Sequence, residues 1–112
     1  MSGPRVLSPQ EVQEALGALQ GWELREGRLR KQYTFRTFLR ALAFVNAVAY
    51  LAEGAGHHPD ITINYNRVTL RLITHSEGAL TDRDFALARE IDDKLGSKLM
   101  VTAEGQEATG QP

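Results

Sequence analysis

The chain holds three histidines, and all fall in one short interval: His57 and His58 side by side, then His75. Histidine is the side chain whose unperturbed pKa, about 6.5, lets it give or take a proton near neutrality. Pro59 pins the adjacent pair, and the third ends a nearby strand, an arrangement suited to proton transfer. A general acid and a general base flanking a substrate typically contribute ~10²–10⁴-fold each. Metal binding is the competing chemistry, since three imidazoles can hold zinc with an open fourth position. Against it, adjacent histidines seldom point the same way. The H-x-H and H-x-x-x-H spacings are also absent, and Glu53 or Asp84 would have to complete the set. Nucleophilic catalysis lacks both a cysteine and a G-x-S-x-G turn. Gly54 and Gly56 run into His-His-Pro rather than a helix, so no phosphate cradle forms there.

The elements that must position these residues can be read from hydrophobic period and punctuation. Ser8-Pro9-Gln10-Glu11 is a capping box with proline at the first helical position, and Val12, Ala15, Leu16 and Leu19 follow at helical spacing. The first helix is expected over 9–19, with Gly21 as its stop. Trp22 and Leu24 alternate up to a Glu26-Gly27 turn; Leu29, Tyr33 and Phe35 resume beyond it, with Leu24 opposite Leu29. Lys31 breaks the alternation and is expected to snorkel from an edge. A second helix is expected from about Thr37 to Glu53, on the core stripe Phe38, Leu42, Val45, Ala49 and Ala52. Phe44, Val48 and Leu51 add apolar surface beyond that stripe, and Ala41, Ala43, Ala47 and Ala49 would let another helix approach closely. A subunit contact and complete cover within one chain both account for this excess. Gly54, Gly56 and Pro59 end the helix. Ile61, Ile63 and Tyr65, then Val68, Leu70 and Leu72, form a second hairpin turning at Tyr65-Asn66. Ile73 and His75 share the opposite parity. Thr81-Asp82-Arg83-Asp84 is another capping box, opening a third helix expected to reach about Met100.

The order α-β-β-α-β-β-α predicts a two-layer α+β fold: a four-stranded antiparallel sheet with three helices on one face. The hairpin 60–74 must bring its ends together, so His57 and His58 are expected close to His75.

With 112 residues the chain has room for one core, and a single domain is expected over 1–102 with a disordered tail, 103–112. A net charge of −1 and a pI near 6.3 leave no electrostatic footprint for nucleic acid. Zero cysteines fits a cytoplasmic protein. No secretory signal pattern or uninterrupted 18-residue apolar run is present, so no membrane partner is expected.

Several spaced residues together resemble the pterin-4a-carbinolamine dehydratase family: Glu53-x-x-x-His57-His58-Pro59-Asp60, Tyr65-Asn66-x-Val68, Thr74-His75, and Leu80-Thr81-x-x-Asp84. Gly21-Trp22 and Phe35-x-x-Phe38 match as well, and the likeness covers roughly 8–100. It implies a lyase that dehydrates 4a-hydroxytetrahydropterin to quinonoid dihydropterin, with a small pterin as partner and no metal or organic cofactor. By position, His57 and His75 look like the acid/base pair and His58 like an orienting residue. Glu53 and Asp84 match positions near the site, where carboxylates would fix imidazole tautomers. The resemblance extends the substrate-binding set to Glu53, Gly56, His57, His58, Pro59, Thr74, His75, Ser76 and Asp84. It also implies a homodimer or homotetramer, through sheet edges and long helices. Gly56 and Ile61 depart from the acidic and aromatic residues common in animal members, which bears on rate and side-chain preference. A non-catalytic pterin-binding or interaction module on the same fold is the alternative.

Overall fold

The computed structural model describes residues 3–96. Its elements are α1 (Pro9–Gly17), β1 (Glu23–Arg25), β2 (Arg28–Thr34), α2 (Phe38–Ala55), β3 (Asp60–Asn64), β4 (Arg67–Leu72) and α3 (Asp82–Leu95). The expected order holds. Both hairpins have the anticipated registers, with Leu24 opposite Leu29 and Ile63 opposite Val68. The hairpins join antiparallel through β2 and β4, giving the strand order β1-β2-β4-β3. The reach of the third helix to Met100 and the tail 103–112 lie outside the described residues.

Local chemistry explains the ends. Ser8 and Glu11 complete the capping box of α1. Glu26 and Gly27 both take positive φ, 55° and 77°, as a tight hairpin turn with right-handed twist demands. Thr37 caps α2, which is longer than expected. It runs through Gly54, and Gly56 closes it in the left-handed conformation, φ 64°. The N–H of His57 donates to the Ala52 carbonyl across that turn.

The core stripe of α2 is Ala41, Phe44, Val48 and Ala52, rotated from the expected one; Phe38 is 47% exposed and Ala49 also faces outward. Phe44 decides the rotation, packing against Tyr33 and Phe35 with ring centroids 4.6 and 5.0 Å apart. Emptying that position would cost about 3–5 kcal/mol. By length and mean hydropathy, 1.3, α2 could cross a membrane, but its buried stripe belongs to this core.

Lys31 also departs from expectation. Its side chain points inward with Leu29 and Tyr33, and its ammonium donates to Asp92 of α3 at 3.1 Å and to the Gln20 carbonyl at 2.9 Å. Asp92 further accepts from the Trp22 indole and the Tyr33 hydroxyl, both at 2.8 Å. This satisfied polar cluster ties the sheet to α3, so the lysine needs no edge. Burial, then the charge of Asp92 and its hydrogen bond, push the Tyr33 phenol far above its ordinary pKa.

Candidate active site

Asp60 pairs with Arg71, so the start of β3 lies beside the end of β4. That register brings the exit of α2 against the segment leaving β4. There Thr74 bridges Ala79, and a tight loop carries His75 to Gly78, whose φ is 61°. Three residues beyond Gly78, Thr81 caps α3.

A cleft of about 250 Å³ opens where these segments meet, lined by Gly56, His57, His58, Ile73, Thr74, His75, Ser76 and Arg83. All three histidines are on its wall. So are three further expected residues: Gly56, Thr74 and Ser76. The other three stand elsewhere. Glu53 pairs with His58 at 2.6 Å on the surface. Asp84 lies wholly buried behind His57, and Pro59 is half-buried beside the wall.

The histidines differ in how they are held. His57 is 8% exposed, and its Nε2 lies 2.6 Å from Oδ1 of Asp84. The other oxygen, Oδ2, accepts from the Thr74 hydroxyl and from the Thr81 N–H, each at 2.9 Å. Oδ2 is therefore held as an acceptor by two donors, and with Asp84 as a carboxylate the proton it shares with His57 sits on Nε2. Nδ1 is the one ring nitrogen left for a ligand. Thr74 spends its single proton on Asp84, so the Thr81 hydroxyl donates to Thr74 at 2.7 Å. The Thr81 oxygen in turn accepts from the Arg83 N–H at 3.2 Å. The cap of α3 and the support of His57 are one directional chain of hydrogen bonds. Against this fixed histidine, His75 is exposed, and its ring has no hydrogen-bond partner among the described residues.

A model of the family described as pterin 4 alpha carbinolamine dehydratase matches residues 5–94. The chain belongs to this family. Its relatives include proteins of Acidobacterium capsulatum (50% identical over 80% of this chain and 97% of theirs), Roseiflexus sp. (51%, over 78% and 94%) and Thermomicrobium roseum (52%, over 71% and 86%). Each of the three is named as a pterin-4-alpha-carbinolamine dehydratase on a provisional basis. Among solved structures, the chain resembles a Brucella melitensis protein described as a transcriptional coactivator/pterin dehydratase. That match has a TM-score of 0.76 and 35% identity, over 80% of this chain and 97% of the other. It also resembles a pterin dehydratase-like protein identified as a RuBisCO assembly factor in the alpha-carboxysome. There the TM-score is 0.54 and the identity 27%, over 68% and 88%.

Two wall residues were not anticipated. Ile73 follows directly on β4, which ends at Leu72 and not at His75 as expected, and the chain beyond the strand carries both residues to the cleft. Arg83 passed as a spacer inside Leu80-Thr81-x-x-Asp84; the signal was its place beside a cap residue that reaches the site. Among the described residues, no group of three or more His, Cys, Asp or Glu side chains is arranged to hold a metal ion.

Proposed function

We propose that this protein is a hydro-lyase that converts 4a-hydroxytetrahydropterin to quinonoid dihydropterin by histidine general acid/base catalysis. The reaction breaks the C4a–O bond and expels water. The adjacent ring nitrogen loses its proton, and its electron pair forms the new C=N bond. One group must deliver a proton to the departing oxygen while another removes one from nitrogen. His57 suits the base: Nδ1 is its free nitrogen, and Asp84 stabilises the imidazolium that forms. His75, exposed on the same cleft wall and unencumbered, suits the acid. His58, steadied by Glu53, orients the ring.

The observation carrying this reading is the buried His57–Asp84 pair opening onto a cleft walled by both other histidines. A surface or core histidine needs no such support. The direct test is whether the purified protein accelerates decay of chemically generated 4a-hydroxytetrahydropterin; an unchanged decay rate would sink the proposal. The reading includes cytoplasmic residence, in keeping with zero cysteines.

A second reading, an interaction role, is favoured by the outer face of α2. Leu39 and Tyr50 are 74% and 81% exposed, and Ala43 lies on the same side. Both structural relatives are described with roles in coactivation or assembly. We take the use of this face as self-association, with α2 packing between dimers that themselves join through sheet edges, giving a homodimer or homotetramer. Light scattering of the native chain and of Ala43→Arg tests it: a native monomer would refute it.

A further inference from the structure

Three arginines, Arg67, Arg83 and Arg89, have no ion-pair or hydrogen-bond partner for their guanidinium among the described residues, and of these Arg83 is the one that lines the cleft. Arg5 pairs with Glu11, Arg25 and Arg30 with Glu23, and Arg28 with Asp60, while Arg71 donates to Thr62. Arg36 and Arg40 have partners as well. The acidic groups nearest the histidines are already committed. Asp84 is buried and saturated by three donors, and Glu53 faces His58 outside the cleft. An arginine presents a rigid fork of N–H donors suited to two oxygens of a carboxylate or phosphate. Its backbone is fixed as well. The N–H of Arg83 is bonded to the Thr81 cap, so the residue is anchored one position from the side chain that holds His57.

We infer that Arg83 is a specificity residue, which binds an oxyanion carried on the side chain of the pterin and so selects acidic pterins over neutral ones. This rests on the reading of the cleft as a pterin site. The ring occupies the space among the three histidines, and its substituent reaches the rim where Arg83 stands. No proton transfer is asked of the arginine, whose charge is permanent.

The test is fluorescence titration of the full-length protein with three pterins: pterin-6-carboxylate, 6-hydroxymethylpterin phosphate and neutral 6-methylpterin. The contact is solvent-exposed, so the anionic ligands should bind about three- to tenfold more tightly than the neutral one. Salt should shrink this ratio. Arg83→Gln should bring the ratio to about one, and Arg83→Lys should keep part of it; a merely structural arginine would not change a ratio between ligands. The side chain has no partner to lose, so both variants should melt with the native protein. The carboxylate and phosphate arms tell which oxyanion the rim prefers. Equal native affinity for all three ligands would overturn the inference, as would a preference that survives Arg83→Gln. If native protein speeds carbinolamine decay yet binds all three equally, only the role of Arg83 falls. If it neither binds these pterins nor speeds the decay, the reading of the cleft falls with it.

Discussion

Replacing Asp84 with asparagine separates the chemistry of the site from its architecture. The carboxylate accepts three hydrogen bonds at a wholly buried position: from His57 at 2.6 Å, and from Thr74 and Thr81 at 2.9 Å each. Asparagine has the same shape and can turn its oxygen toward Thr74 and Thr81, keeping the cap of α3. Its NH₂ then faces Nε2 of His57, which must accept rather than donate. The ring proton moves to Nδ1, and the nitrogen offered to substrate changes from acceptor to donor. Two of three contacts survive, and one charge-assisted bond becomes a neutral one. The stability loss should be about 1–2 kcal/mol. At roughly 4–8 °C per kcal/mol for a domain of this size, Tm should fall by ~4–16 °C. A fold of about 5–15 kcal/mol remains populated at 25 °C after such a loss.

Turnover, by contrast, should drop ~10²–10⁴-fold, the usual worth of a positioned general base. The assay is stopped-flow absorbance on chemically generated 4a-hydroxytetrahydropterin, with circular dichroism melting on the same samples. Alanine would be the poorer choice. It strands three buried donors at about 1–3 kcal/mol each, enough to confuse lost activity with lost fold. The double variant with His57→Ala should be little worse than His57→Ala alone, because the two residues act as one unit. A folded Asp84→Asn protein with turnover within threefold of native would show that Asp84 does not set the protonation of His57.

His75→Ala should lower turnover by ~10²-fold or more. Its exposed ring has no partner to lose, so the stability change should stay within about 0.5 kcal/mol; parallel losses of activity and Tm would count against a catalytic role. His58→Ala should raise KM more than it lowers kcat, and an unchanged KM would contradict an orienting role. Activity should survive exhaustive chelation, because Nε2 of His57 and of His58 are already engaged by carboxylates; a loss restored by added zinc would revive the metal reading. Tyr33 predicts an alkaline limit. Its phenol is raised in the folded state, so its contribution is intact below the unfolded value near pH 10 and falls by roughly 1.4 kcal/mol per pH unit above it. Urea melts at pH 9 and 11 should show Tyr33→Phe losing less stability over that interval than the native protein, and equal losses would refute the assignment.

What the sequence made legible was governed by local rules. The two hairpin registers follow from turns of two residues, and the three helix starts follow from Ser8, Thr37 and Thr81 with their neighbours. His57, His58 and His75 were brought to one place by the same hairpin arithmetic. The errors arose where partners are distant. α2 is apolar nearly all round, so period alone selects no face; Phe44 meeting Tyr33 and Phe35 does. Lys31 occupied an inward register, and its acceptor, Asp92, stands 61 residues away. Asp84 was readable as a cap residue and as a position near the site. That its two oxygens divide these tasks, one facing His57 and one facing Thr74 and Thr81, depends on the packing of α3 against the end of β4.

That division gives the two sides of the cleft different physical characters. On the His57 side, each donor has a single committed acceptor, from the Arg83 N–H through Thr81 and Thr74 to Asp84. The bonds on Oδ2 also hold the first turn of α3, so the carboxylate beneath His57 is fixed by the fold itself. On the rim, His75 and the Arg83 guanidinium carry no such obligation and face water. In the proposed reaction the base ends each turnover with one proton too many and the acid with one too few, so both must exchange with solvent. His57 would return its proton through Nδ1 on the cleft side, and the exposed His75 would be reloaded directly from water. Arg83 joins the two sides: its backbone belongs to the fixed chain while its side chain faces the open rim. On the proposed reading, substitutions of its side chain should therefore retune which pterin is accepted while leaving the bonds around His57 in place.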